Sequence, residues 1–143
     1  MLRIPVSISI KSLQQEGPET NLTESFSHGM MTEQDDKVYI SYKEEIEGAG
    51  SVPSLLTLQE NGMTILRKGE MRTDMHFMPG QLTHAKYSTG AGNIALDIRT
   101  DACKMSYNRK DTEIVAEADY ALYAGEEEIS KNHIRIEIRK RDD

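Results

Sequence analysis

Five polar side chains fall in phase with apolar residues, and their types could do chemistry. Glu24 and His28 share the alternation of Leu22, Phe26 and Met30 in LTESFSHGM, Tyr42 and Glu44 continue the face begun by Val38 and Ile40, and Arg67 follows Ile65. A guanidinium among apolar neighbours demands a carboxylate or an anionic ligand. Two partners for Arg67 are open: an internal ion pair with Glu44, or the carboxylate or phosphate of a bound molecule. Glu24 and His28 have the types of an acid and base pair. Four extended residues separate them by roughly 13 Å at ~3.3 Å per residue, so only a strand bend brings them together.

The stretch MRTDMHFMPGQLTHAKYSTGAG, residues 71–92, places three methionines, two histidines, a lysine and a tyrosine around one Pro-Gly turn. If Pro79-Gly80 is a two-residue hairpin turn, Met75, Phe77, Leu82, His84 and Lys86 share one face. His76, Met78, Thr83, Ala85 and Tyr87 then share the other, and the histidines point apart. A bulged turn sets His76 opposite His84 instead. No thiolate or carboxylate nearby completes a zinc set, so no metal is expected. Met75, Phe77 and Leu82 read as packing, with Phe77 and Tyr87 near any ligand held inside.

Other chemistry is missing from the motifs. There is no Gly-x-Ser-x-Gly elbow, no Walker loop and no zinc-spaced Cys and His set, and no cofactor is implied. Gly69, Gly80 and Gly92 serve turns or bends, because no helix follows them to supply a dipole for phosphate. Cys103 reads as a small wall residue.

These side chains need strands to position them. Period two dominates: Leu2 to Ile10 is apolar at every even position, and the alternation returns in KVYISYKEE, NIALDIRT, HIRIEIRK and, more faintly, in TEIVAEADYALY. Pro5 cannot donate to a ladder, which places that end at an edge, bulge or rim. Turn chemistry separates the runs at residues 34–36, 60–63, 78–81, 89–93, 108–111 and 123–126, with Asn61-Gly62 the strongest candidate for a type I′ turn. With that turn Leu58 faces Ile65 and Leu56 faces Arg67. Helix is at most a short turn. The expected fold is all-β, an antiparallel meander of about 8 to 10 strands closed into a barrel, since closure removes exposed edges.

The chain of 143 residues is long enough for one domain, residues 1–143, with its own core. Its single cysteine excludes an intrachain disulfide and fits a reducing, cytoplasmic setting. The N-terminus lacks the apolar run of a signal peptide, and no stretch reaches the length of a membrane helix. A net charge of −7 and a pI near 5.1 disfavour nucleic acid as a partner.

The motif order also resembles a family. Tyr42 and Glu44, then Arg67 and Gly69, then Met75, Phe77 and Gly80, then Tyr87, Thr89 and Gly92 match the pattern of the YwiB-like bacterial proteins, with Ala91 departing from the usual turn. The resemblance implies a calycin-like, lipocalin-like β-barrel in a bacterial cytoplasm, and no activity. The leading expectation is a non-catalytic barrel that holds a small, partly apolar, anionic molecule among Arg67, Tyr42, Glu44, Glu24, His28, Phe77 and Tyr87. The alternatives are a filled barrel that acts as an interaction module or homodimer, and an enzyme using interior Glu, His and Arg.

Overall fold

The alternation folds as ten antiparallel strands, with no helix among the residues described by this computed structural model, 2–46, 50–69, 72–89 and 92–141. They are β1 (Ile4–Glu16), β2 (Glu19–Gln34), β3 (Lys37–Ile46), β4 (Gly50–Gln59), β5 (Gly62–Arg67), β6 (Arg72–Phe77), β7 (Leu82–Thr89), β8 (Gly92–Asn108), β9 (Glu113–Ala124) and β10 (Glu127–Lys140). Each strand pairs with its neighbours in the chain, and β1 closes on β10 to complete a barrel. Pro5 lies where the β10 pairing ends, its carbonyl accepting the Arg141 N–H at 2.9 Å. Position 91 of the 89–93 turn lies outside the described residues.

Inward isoleucines set the register. Ile8 faces Ile138 and Ile10 faces Ile136 across β1 and β10, while Ile136 and Ile138 face Ala116 and Ile114 of β9. With Ile40, Leu56, Leu58, Met63, Ile65, Phe77 and Ile98 they form a core that excludes water. Burying each of the larger side chains contributes about 1.5–3 kcal/mol.

Three expectations change. Leu22, Phe26 and Met30 do not mark an inner face of β2. Ile4, Val6, Ile8 and Ile10 of β1 pair with Met31, Gly29, Ser27 and Ser25, and directly opposite residues share a face. The in-phase apolar run of β1 thus draws the odd positions of β2 inward and leaves Leu22 and Phe26 62% and 66% exposed. Gly29 permits this, because a Cβ there would overlap the Ser41 carbonyl oxygen and come within 2.9 Å of Tyr42 Cβ.

The β4–β5 hairpin turns at Glu60-Asn61, not Asn61-Gly62, so Leu56 faces Ile65 and Ser54 faces Arg67. Gly62 is a strand residue crowded by Met78 Sδ and Gln59 Nε2, which a Cβ would meet at 2.6 and 2.8 Å. The type I′ geometry falls instead at Asp35-Asp36, with φ of 52° and 64°. The shift of two residues keeps every side chain on the face expected for it.

Pro79-Gly80 forms a type II turn, with Gly80 at φ 74° and the Gln81 N–H donating to the Met78 carbonyl at 3.0 Å. That turn splays strands, so the register advances by one: Thr73 faces Tyr87 and Asp74 faces Lys86. Met75 and Phe77 are buried as expected, but Leu82 and Lys86 are exposed. His76 and His84 both lie on the outer surface, bonded to Asp74 at 3.0 Å and to Asp97 at 2.7 Å.

One seam of the barrel is incomplete. β2 pairs with β3 only from Gln34–Lys37 to Gly29–Tyr42; beyond Gly29 the strands part, and Glu19–His28 has no strand on that side among the described residues.

Candidate functional site

The inward face changes chemistry toward this open seam. In β1 the run Val6, Ile8, Ile10 continues as Ser12 and Gln14; in β3 Val38 and Ile40 continue as Tyr42 and Glu44; in β5 Met63 and Ile65 end at Arg67. Strand pairing assembles these positions into rows. Tyr42, Ser54, Arg67, Thr73 and Tyr87 are successive partners across β3 to β7. Thr100, Tyr120, Asn132, Gln14 and Asn21 are successive partners across β8, β9, β10, β1 and β2. The two rows ring one end of the barrel with polar groups above the apolar core.

Arg67 is the centre of this end. Its Nε donates to Glu44 Oε2 at 2.8 Å, with side chains 22% and 8% exposed. Of the two partners open to Arg67, the internal ion pair with Glu44 is the one present. The carboxylate engages Nε alone, and the terminal guanidinium nitrogens have no hydrogen-bond partner among the described residues. Burial pulls the Arg67 pKa down, but the hydrogen bond and charge of Glu44 outweigh it and hold the guanidinium above its ordinary value.

Three phenols surround it. Burial pushes Tyr42 up to about 12, with the Glu44 charge adding to the rise and Arg67 opposing it. Burial does the same to Tyr120, also to about 12, with help from Tyr87. Tyr87 is raised by burial and donates to Met75 Sδ at 3.8 Å. The Tyr42 hydroxyl is buried without a hydrogen-bond partner among the described residues. Ser54 opposes the rise, and its own hydroxyl donates to the Val52 carbonyl at 3.2 Å. Thr100 Oγ1 is likewise buried and unbonded among the described residues.

Two pockets meet at Arg67, Ser12 and Thr23. A side pocket of about 440 Å³ opens through the seam and is lined also by Ile10, Glu24, Ser25, Glu44 and Glu45. An end pocket of about 300 Å³ has Gln14, Met75, Tyr87, Tyr120, Leu122 and Asn132 among its walls. Their charges differ: the first is lined by three carboxylates as well as Arg67, whereas Arg67 is the only charged residue lining the second among the described residues.

The expected residues separate into groups. Arg67, Tyr42, Glu44 and Tyr87 come together as anticipated. Phe77 is fully buried and supports the site from below, its ring 4.7 Å from that of Tyr120. Glu24 and His28 are not inside: both are exposed, because β1 turns the even positions of β2 outward. Glu24 stands at the lip of the side pocket, and His28 borders a separate outer groove of about 470 Å³ with Ser41, Lys43, Pro53, Leu55 and Lys68. Their acid and base pairing does not occur. Sequence reading missed Ser12, Gln14, Thr23, Tyr120 and Asn132. The available signal was a strand whose alternation keeps its phase while the inward residue changes from isoleucine to serine, glutamine or asparagine.

The fold and this end define a closed, ten-stranded antiparallel β-barrel with a polar, pocketed end. The chain belongs to the family described as domain of unknown function DUF1934, whose model matches residues 8–136. It is similar to the uncharacterized beta-barrel protein YwiB of Bacillus subtilis strain 168, at 24% identity over 132 residues, covering 92% of this chain and 91% of the relative. The crystal structure of the ywiB protein from Bacillus subtilis superposes with a TM-score of 0.85 at 21% identity, covering 98% of this chain and 94% of that one. The shared architecture is a barrel fold.

Proposed function

We propose that the barrel is a non-catalytic binder of a small, partly apolar, anionic molecule, held in the end pocket. The anionic group meets the free nitrogens of Arg67, and the apolar part lies against Met75, Leu122, Tyr87 and Tyr120. The observation that carries this reading is the half-buried guanidinium, bonded among the described residues only through Nε and bordering a pocket that no other described charged residue lines. A pocket of about 300 Å³ is at the lower end of the range for small-molecule sites. Binding is favoured over chemistry because Glu44, the interior carboxylate, is engaged by Arg67, and no nucleophile stands beside a base among the described residues. A cytoplasmic setting accords with a single, half-buried thiol at Cys103.

Native mass spectrometry of protein purified from bacterial cytosol, paired with titration of the apolar anion anilinonaphthalene sulfonate, tests the proposal. Wild type is expected to carry extra mass absent from its denatured spectrum, or to bind the probe saturably. Arg67→Ala is expected to lose both while keeping its circular dichroism. Equal probe binding by wild type and Arg67→Ala would overturn the anion role, and a bare wild type that also ignores the probe would overturn the binding reading.

A further inference from the structure

The open seam leaves a sheet edge with a definite chemistry. Across the gap from Glu19–His28 the side pocket separates Thr23, Glu24 and Ser25 from Glu44 and Glu45, so the space there is not filled by β3. Alternate residues of an antiparallel strand aim their backbone groups at opposite neighbours. The two-residue turn at Gly17-Pro18 makes Glu16 and Glu19 a bonded pair, so the odd residues of β2 bond to β1. Thr20, Leu22, Glu24, Phe26 and His28 therefore aim theirs into the gap. The two-residue turn at Asp35-Asp36 yields the same parity from the other end.

Protein edges are usually blunted by lysine, proline or a bulge. The stretch ETNLTESFSH carries no lysine or proline, and its pairing with β1 runs without a bulge. It also displays Leu22 and Phe26 on its outer face, with Leu13 of β1, 44% exposed, directly opposite Leu22. Such an edge is a template for another strand, and its outer face adds apolar area to the pairing.

We propose that this edge pairs antiparallel with the same edge of a second copy of the chain, about a two-fold axis at Leu22. The register follows from side-chain fit: axes at Thr20 or Asn21 set Leu22 against Pro18 or Thr20 and shorten the paired edge, and axes nearer Gly29 fail in other ways. An axis at Glu24 opposes two carboxylates, and one at Thr23 sets Leu22 against Glu24. An axis at Ser25 or Phe26 drives the partner's Gly17-Pro18 turn to or past Gly29, where β3 already occupies the edge. An axis at Leu22 sets Leu22 against its own copy and Glu24 against Thr20, and ends the partner's turn opposite Phe26 and Ser27. It also builds one apolar row, Leu13, Leu22, Leu22, Leu13, across four strands, in the self-complementary manner of a two-fold interface.

Light scattering with size-exclusion chromatography of the full chain is the test. The expected mass is twice 16.1 kDa, falling to the monomer in Leu22→Lys. Thr20→Pro, whose lost N–H faces the gap and not β1, is expected to do the same without touching the leucine row. Bonded partners across such an axis have Cα atoms about 5.5 Å apart, within disulfide reach. Leu22→Cys on a Cys103→Ser background should therefore oxidise to a covalent dimer, and Glu24→Cys should not. A monomeric wild type, a dimer that survives Leu22→Lys with native circular dichroism, or crosslinking at position 24 in place of 22 would each overturn the proposal.

Discussion

Removing Glu44 takes from Arg67 the one carboxylate it is hydrogen-bonded to among the described residues. Breaking a fully buried ion pair costs about 3–5 kcal/mol, because the remaining charge stays desolvated. Arg67 is 22% exposed and borders two pockets, so water reaches part of it and the cost falls to about 2 kcal/mol. For a chain of this size each kcal/mol moves the melting temperature by roughly 3–4 °C, so Glu44→Ala should melt about 6–8 °C lower. Arg67→Met leaves the more deeply buried Glu44 carboxylate unpaired and should cost at least as much, and the double variant Glu44→Ala with Arg67→Met should recover part of the loss, giving a coupling of about 1 kcal/mol or more in a double-mutant cycle. Thermal denaturation followed by circular dichroism measures all four corners. Glu44→Ala should also bind anilinonaphthalene sulfonate more tightly than wild type, since the guanidinium is released. A cycle with no coupling, or a Glu44→Ala protein that melts with wild type, would refute the account of Arg67 as half-buried and held by Glu44.

The same end of the barrel governs the response to alkali. Tyr42 and Tyr120 are raised in the folded state from 10.0 to about 12, so their contribution is complete below pH 10 and is lost as the pH climbs through about 12. A rise of that size corresponds to roughly 2–3 kcal/mol for each phenol, and phenolate absorbance should appear together with loss of structure. Because the Tyr42 hydroxyl is buried without a partner among the described residues, Tyr42→Phe should leave stability at neutral pH unchanged or raise it by up to about 1 kcal/mol, and flatten part of the alkaline decline. A strong destabilisation at neutral pH would mean that the hydroxyl is bonded. At the vertex of the seam, Gly29→Ala forces a Cβ onto the Ser41 carbonyl and Tyr42 Cβ; urea denaturation should show a loss of about 1–3 kcal/mol, and an unchanged midpoint would contradict the close approach.

Architecture was legible because a period of two is local. The in-phase runs of β1, β3, β9 and β10 name their inward residues without knowledge of any partner, and Ile8, Ile40, Ala116 and Ile136 are buried as their phase requires. The Arg67–Glu44 pairing was legible for a related reason: each residue continued an apolar face, and a buried guanidinium needs a carboxylate. Turn registers were less legible. Gly62 was spent on close packing and not on a turn, and Pro79-Gly80 adopted a type II turn that advances the register by one residue.

The faces of β2 were beyond local reading, since Leu22, Phe26 and Met30 alternate as convincingly as Ser25, Ser27 and Met31 do not. Pairing with β1 decided that conflict, and so placed Glu24 and His28 outside. An antiparallel barrel with a charged residue, Arg67, on an inner face was already written in the chain, because alternation and the cost of burying charge are properties of single strands. Folding in three dimensions then selected which polar residues meet at Arg67, gave the barrel a pocketed end and left β2 with an open edge. Those features depend on which strands become neighbours and where they part, and no single strand carries that information.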